Sequence, residues 1–126
     1  MAAKKKHRVG NFDYRIDLVD CDGTKRVEIV GKNGGTIRGK GGTWVSFARG
    51  SGVSQFKIVC TDLPDNDVRT AKAAWPFDGP VADGWLSRFR RRLIKPENGA
   101  SQLIFKYSII VERARPADPA IIIDKM

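Results

Sequence analysis

Regular alternation of apolar and polar residues constrains this chain more than any other feature of its sequence. One face of the segment 12–18 carries four apolar side chains: Phe12, Tyr14, Ile16 and Leu18. A period of two is typical of a half-buried β-strand. Further strand-like segments are 25–30, a short one near Ile37, 43–48, 55–61, 104–111 and 120–124. Turn sequences rich in glycine separate many of them, so we predict an all-β fold, an antiparallel sandwich or barrel of about seven strands.

The inward faces of these strands predict the hydrophobic core. We expect it to contain Phe12, Tyr14, Ile16, Leu18, Phe47 with either Trp44 or Val45, Phe56, Ile58, Phe105, Tyr107 and Ile109. A chain of 126 residues has room for one domain. We therefore expect a single β-sandwich domain over 11–126, preceded by a flexible basic tail over 1–10.

Two segments in the middle of the chain carry helical spacing instead. In 62–75, apolar residues at Val68, Ala71 and Ala74 indicate a short helix, with Asp65 or Asn66 as its N-cap. In 83–95, apolar residues recur every four positions, as Trp85, Phe89 and Leu93. This local pattern favours a basic amphipathic helix. An edge strand in an all-β domain also tolerates it, and the sequence does not decide between the two.

The chain is strongly basic, with 23 Lys and Arg against 14 Asp and Glu. Part of the excess lies in the tail, and a second cluster forms a candidate site for nucleic acid or another anionic partner: Arg88, Arg90, Arg91, Arg92 and Lys95. Arginine pairs with phosphate, and the neighbouring aromatic residues Trp85 and Phe89 suit base stacking. The alternative is a solvated basic face whose aromatic residues belong to the core.

The sequence has too few histidines and cysteines for several kinds of metal site. The chain has one histidine, His7, and two cysteines, which supply neither a structural zinc site nor a blue-copper site. We expect no metal and no cofactor. Cys60 alternates with apolar neighbours and is predicted to be buried, while Cys21 lies in a turn. The glycine-rich segment 34–41 has phosphate-loop spacing, but Gly41 replaces the magnesium-binding hydroxyl residue and a strand follows.

Membrane and secretion signals are also missing from the printed sequence. No apolar run approaches the length needed to span a bilayer, and no apolar segment follows the basic N-terminus. We therefore expect a cytoplasmic protein without a membrane span.

Short motifs in the C-terminal two-thirds of the chain resemble a known family. They are Gly42-Thr43-Trp44-Val45-Ser46-Phe47, Phe56-Lys57-Ile58, Trp75-Pro76-Phe77, Lys106-Tyr107 and Asp118-Pro119-Ala120-Ile121-Ile122-Ile123. In this pattern the chain resembles the DP-EP family of small bacterial proteins, which implies a cupredoxin-like β-sandwich. The chain lacks a clear Glu-Pro element and carries an additional arginine-rich insert between Trp85 and Lys95.

The resemblance implies self-processing, an aspartic-type autoproteolysis at the Asp118–Pro119 bond. Lys106 is then the candidate acceptor of the aspartyl group in an isopeptide link, Lys95 is the reserve candidate, and Asp124 is a candidate to orient water. The alternative for Asp118 is structural, because proline confines the preceding residue to the extended conformation that begins an edge strand. Three functions therefore remain open: self-processing, binding of nucleic acid or another anionic partner, and protein–protein adaptation through a sheet edge.

Overall fold

A computed structural model describes residues 12–63, 68–96 and 102–124 of the chain. Within these ranges it contains eight strands: β1 (Tyr14–Cys21), β2 (Thr24–Gly31), β3 (Ile37–Lys40), β4 (Trp44–Arg49), β5 (Lys57–Asp62), β6 (Arg88–Arg92), β7 (Leu103–Ile110) and β8 (Ala120–Asp124). The prediction of a β-rich fold is confirmed. The expected tail over 1–10 lies outside the described residues.

The strands form two four-stranded sheets, ordered β2-β1-β4-β6 and β3-β8-β7-β5. The purely antiparallel arrangement was wrong, because β1 pairs with β4, and β3 with β8, in parallel. Alternation along a strand predicts which side chains face inward but not the direction of its neighbour. The described ranges contain eight strands where about seven were expected, because the arginine-rich segment supplies β6.

One buried cluster combines side chains from both sheets and accounts for most of the predicted core. Phe47 of β4 and Tyr107 of β7 are fully buried, and their ring centroids lie 5.8 Å apart. The confirmed core residues are Tyr14, Ile16, Val45, Phe47, Phe56, Ile58, Phe105, Tyr107 and Ile109. Phe12 and Leu18 are only partly buried, and Trp44 is exposed. The two sheets thus bury their apolar faces against each other.

A tight hairpin joins β1 to β2. Its turn residues Asp22 and Gly23 both have positive φ angles, of 51° and 80°. Such turns match the right-handed twist of antiparallel strands, which explains why an Asp-Gly sequence occurs at this point. The pairing then runs without interruption from Cys21 opposite Thr24 to Tyr14 opposite Gly31.

The helix predicted within 62–75 is not found in the described part of that segment. A single 3-10 turn covers Val68–Thr70, and Ala73 then pairs with Thr61 as an isolated bridge. After this turn the main chain forms hydrogen bonds with β5 and not with itself in a helix. One of them runs from Asp62 N to the carbonyl oxygen of Lys72 at 2.8 Å. The proposed caps Asp65 and Asn66 lie outside the described residues.

The helical interpretation of 83–95 was also wrong, and the edge strand was right. Residues 88–92 form β6, which pairs in antiparallel register with β4, so that Phe89 lies opposite Phe47. Phe89 and Leu93 are buried, but Trp85, the first apolar residue of the series, is 42% exposed. Pairing with β4 satisfies the main chain of this segment, and this long-range contact overrides the local spacing.

Candidate functional site

The segment that joins β7 to β8 lies against β7. Ile109 and Ala117 exchange main-chain hydrogen bonds, and the N–H of Tyr107 donates to the carbonyl oxygen of Pro119 at 3.0 Å. Asp118 is therefore held between two residues whose main chains are bonded to β7. Ile109 pairs with Ala117, and Lys106 pairs with Ala120. In this register Asp118 lies opposite Ser108.

Two side chains of β7 contact Asp118. The ammonium group of Lys106 donates a hydrogen bond to the main-chain carbonyl oxygen of Asp118. The hydroxyl of Ser108 donates to the Asp118 carboxylate oxygen Oδ1. Lys106 and Ser108 are two residues apart on one strand and so share a face of the sheet. The carbonyl and the carboxylate of one residue are thus held by separate donors.

This arrangement can polarise the bond between Asp118 and Pro119. A positive charge beside the carbonyl oxygen withdraws electron density from the carbonyl carbon and stabilises the oxyanion that forms when a nucleophile attacks this carbon. The carboxylate of the same residue is the nearest nucleophile along the chain. Asp118 is exposed, so water also reaches the site.

Asp124 is not brought to this site. It lies at the other end of β8, where its carboxylate pairs with Arg38 at 3.0 Å and accepts a hydrogen bond from Gln102 at 3.1 Å. These contacts hold the pKa of Asp124 below its ordinary value, and the hydrogen bond from Arg38 contributes most. Its position suits a clamp between β3 and β8. Lys95, the reserve acceptor, lies at the turn that follows β3, against Gly41.

The arginines of β6 divide into two groups by the face that they occupy. Arg88, Arg90 and Arg92 are exposed on the outer face of the first sheet. There the guanidinium groups of Arg90 and Arg92 lie 4.8 Å and 4.5 Å from the ring centroid of Trp44, which is 47% exposed. We call Trp44, Arg88, Arg90 and Arg92 the Trp–Arg face.

Arg91 alternates to the other side of β6 and has a different role. Its guanidinium donates hydrogen bonds to the carbonyl oxygens of Asp78 at 2.8 Å and Pro80 at 2.9 Å. It therefore fixes the 78–80 turn. The structure brings together three of the five basic residues of the predicted cluster, and Arg91 and Lys95 lie elsewhere.

Sequence reasoning did not assign two residues of these sites. Ser108 follows Lys106 by two residues and so shares its face of the strand, but its alignment with Asp118 depends on the register between β7 and β8. Trp44 was a candidate core residue, although its alternation with Val45 and Phe47 was a signal that it faces outward. Placing Ser108 beside Asp118, and Trp44 beside the arginines of β6, requires knowledge of which strands are neighbours.

No protein-family model matches this chain, and no match to a curated protein was found. In the described ranges, no helix is both long enough and apolar enough to cross a membrane.

Proposed function

We propose that this protein cleaves its own chain at the Asp118–Pro119 bond. The observation that carries the proposal is the hydrogen bond from the Lys106 ammonium group to the carbonyl oxygen of Asp118. Through this contact a positive charge lies beside the oxygen on which negative charge develops during attack on the carbonyl carbon. The neighbouring hydrogen bond from Ser108 limits rotation of the Asp118 carboxylate.

The first step is attack of an Asp118 carboxylate oxygen on the main-chain carbonyl carbon of the same residue. A C–O bond forms, the C–N bond to Pro119 breaks, and a five-membered anhydride results. The nitrogen of Pro119 leaves as a secondary amine after it takes a proton from the Lys106 ammonium, which is hydrogen-bonded to the carbonyl oxygen of the same peptide group. The new C-terminal fragment then begins at Pro119.

The anhydride has two fates that differ in mass. Water opens it to two carboxyl groups, which leaves Asp118 as an ordinary C-terminus. Alternatively the Lys106 amine, which has lost its proton, attacks an anhydride carbonyl. A C–N bond then forms, a C–O bond breaks, and a proton leaves to solvent. This second route gives a Lys106–Asp118 amide, and that fragment is one water lighter than its hydrolysed form.

Intact mass spectrometry of the purified chain during long incubation tests the proposal. We expect two fragments that separate at Asp118–Pro119 in the wild type and none in Asp118→Ala. Lys106→Arg should slow cleavage and lose the amide product, since it retains the charge beside the carbonyl oxygen but neither gives up a proton readily nor carries an acylable amine. Lys95→Arg is the matched control and should behave as wild type. A single full-length mass that persists throughout would refute self-processing.

A second candidate function is binding of nucleic acid by the Trp–Arg face. The supporting observation is that the exposed Trp44 ring lies beneath the guanidinium groups of Arg90 and Arg92. An aromatic ring bordered by cations combines base stacking with phosphate contacts, the two elements of sequence-tolerant recognition of single strands. Arg88 extends the same positive charge along the strand.

Titration of a single-stranded oligonucleotide at several salt concentrations tests this candidate. We expect the double variant Arg90→Gln with Arg92→Gln to bind at least about tenfold more weakly, and with a shallower salt dependence. The double variant Arg113→Gln with Arg115→Gln is the charge-matched control, because both residues are exposed in the segment between β7 and β8, and it should change affinity little. Equal losses in both variants would mean that only net charge matters.

We further propose that the two facing sheets form a cupredoxin-like sandwich, as the resemblance to the DP-EP family implies. Support comes from the two four-stranded sheets and from the insertion of the C-terminal strand between β3 and β7. An experimental structure compared strand by strand with solved cupredoxins would test this assignment. A different strand order would contradict it.

A further inference from the structure

An open apolar cleft lies along the outer edge of β5. Its volume is about 410 Å³, within the range typical of small-molecule sites. The walls come from β5 and from the segment that follows the Val68–Thr70 turn, including Ala73, Ala74, Trp75 and Val81. Val59 on β5 and Val81 across the cleft are 47% and 59% exposed. Apolar side chains of this region are therefore exposed to solvent and do not pack in the core.

The hydrogen-bond pattern shows which main-chain groups of β5 face the cleft. On β7, the N–H groups of Tyr107 and Ile109 donate away from β5, to Pro119 and Ala117. The alternate residues of β7 therefore pair with Lys57, Val59 and Thr61. It follows that the N–H and C=O groups of Phe56, Ile58 and Cys60 point to the outer edge of the sheet.

That edge is paired at its two ends and open between them. Phe56 exchanges main-chain hydrogen bonds with Leu86, and the carbonyl oxygen of Cys60 accepts one from Ala74 N at 3.1 Å. Among the described residues, no main-chain partner meets the N–H or C=O of Ile58, or the N–H of Cys60. The Ile58 side chain is buried on the interior face, so the main chain is the part of Ile58 that lines the cleft.

We propose that this cleft binds a small, uncharged, planar ligand that carries a cis amide, such as a lactam fused to an aromatic ring. The ligand N–H donates to the carbonyl oxygen of Ile58, and the ligand carbonyl accepts from the N–H of Ile58 or Cys60. The ring system lies between Val59 and Val81. Extended peptides do not fit this opening, because Leu86 and Ala74 close the strand edge at both ends.

Charge at the cleft agrees with a neutral ligand. Lys57 and Asp83 both line it and carry opposite charges, so neither an anion nor a cation is favoured by the walls. The Lys57 ammonium group also lies 4.8 Å from the ring centroid of Trp85, where it has a favourable partner already. The polar groups left to select a ligand are the main-chain donor and acceptor pair of β5 and the buried Nε1 donor of Trp75, which has no hydrogen-bond partner among the described residues.

The test uses isocarbostyril, a bicyclic lactam, and its N-methyl derivative, which keeps the ring system and replaces the donor hydrogen by a methyl group. Amide ¹H–¹⁵N spectra of the full-length protein are recorded during titration with each compound. We expect isocarbostyril to shift the Ile58 and Cys60 amide signals saturably, and the N-methyl compound to bind at least about tenfold more weakly, the loss expected for an unmatched buried carbonyl.

A variant that fills the cleft provides the second arm. Ala73 is exposed and lines the cleft, so Ala73→Trp should abolish the shifts, whereas Ala73→Ser leaves the space open and should preserve them. Equal affinity for the two compounds would overturn the proposal, since it would show apolar contact alone. Unchanged spectra up to the solubility limit, or shifts that survive Ala73→Trp in the folded variant, would overturn it as well.

Discussion

The phenolic hydroxyl of Tyr107 donates a hydrogen bond to the main-chain carbonyl oxygen of Gly35 in the interior of the protein. Tyr107 belongs to β7 in the second sheet, and Gly35 ends the 3-10 turn that follows β2 of the first sheet. The contact therefore joins the two layers through a buried polar pair. Burial accordingly raises the pKa of the Tyr107 phenol, so the hydroxyl stays protonated as a donor.

Replacing Tyr107 by Phe removes this donor and leaves a buried carbonyl without its partner. We expect Tyr107→Phe to lower the free energy of unfolding by about 1–3 kcal/mol. Urea denaturation measures the change. Tyr14→Phe is the matched control, because the Tyr14 ring lies in the same core but its hydroxyl makes no hydrogen bond to a described residue. Equal losses in the two variants would contradict the role given to the Gly35 contact.

Asp17 should make stability depend on pH in the acid range. Its carboxylate accepts hydrogen bonds from Arg15 at 2.8 Å and 2.9 Å and from Ser51 N at 3.0 Å. These hydrogen bonds lower the pKa of Asp17 in the folded state, and the one from Arg15 contributes most. Because the unfolded pKa is about 3.9, the stabilisation is complete above that pH and is lost as pH falls through the lower folded value.

The variant Asp17→Asn should therefore be less stable than wild type by about 2 kcal/mol near neutral pH. The difference should shrink as pH falls below the unfolded pKa of about 3.9 and wild-type Asp17 becomes protonated. Urea unfolding across this pH range measures it, with Asp20→Asn as a control at an exposed ion pair. A difference that stays constant with pH would show that Asp17 acts through its shape and not its charge.

Gly50 allows close packing beside the same carboxylate. A Cβ atom at Gly50 would lie 1.9 Å from Asp17 Oδ1 and 2.6 Å from Arg15 Cγ. We expect Gly50→Ala to cost about 1–3 kcal/mol, because both side chains must move and their ion pair weakens. Gly84→Ala is the control, since no atom lies within 4 Å of its Cβ position. Thermal unfolding that ranks the two variants alike would refute this explanation.

The two free thiols should differ in reactivity. Cys21 is exposed at the end of β1, whereas Cys60 is buried in the core, and burial raises the pKa of the Cys60 thiol to about 12. A thiol without thiolate character and without access reacts slowly. In native protein at mildly alkaline pH we expect a thiol reagent to modify Cys21 alone. Cys60 should react only after unfolding.

Cys21→Ser tests that assignment directly. This variant should bind almost no reagent until denaturant is added, and then one equivalent. Rapid native labelling of Cys21→Ser would mean that Cys60 is accessible and that the β5 edge opens in solution.

The amino-acid pattern predicted the strands well where one face is apolar and the other polar. The segment 120–124 was predicted as a strand and coincides with β8, and the alternation through Tyr107 and Ile109 matches the buried face of β7. Prediction failed at 83–95, where Trp85, Phe89 and Leu93 repeat with helical spacing. Pairing with β4 satisfies the main chain of residues 88–92, so a contact distant in sequence decided a conformation that the local pattern could not.

The candidate site shows the same division. The sequence by itself determined that Asp118 precedes the only Asp-Pro bond and that Lys106 and Ser108 share one face of a strand. Only the tertiary structure decided that β8 lies between β3 and β7, in a register that sets Asp118 opposite Ser108 and separates it from Asp124. Local periodicity specifies which way a side chain points. Strand order and register depend on long-range packing and hydrogen bonding, which no short segment encodes alone.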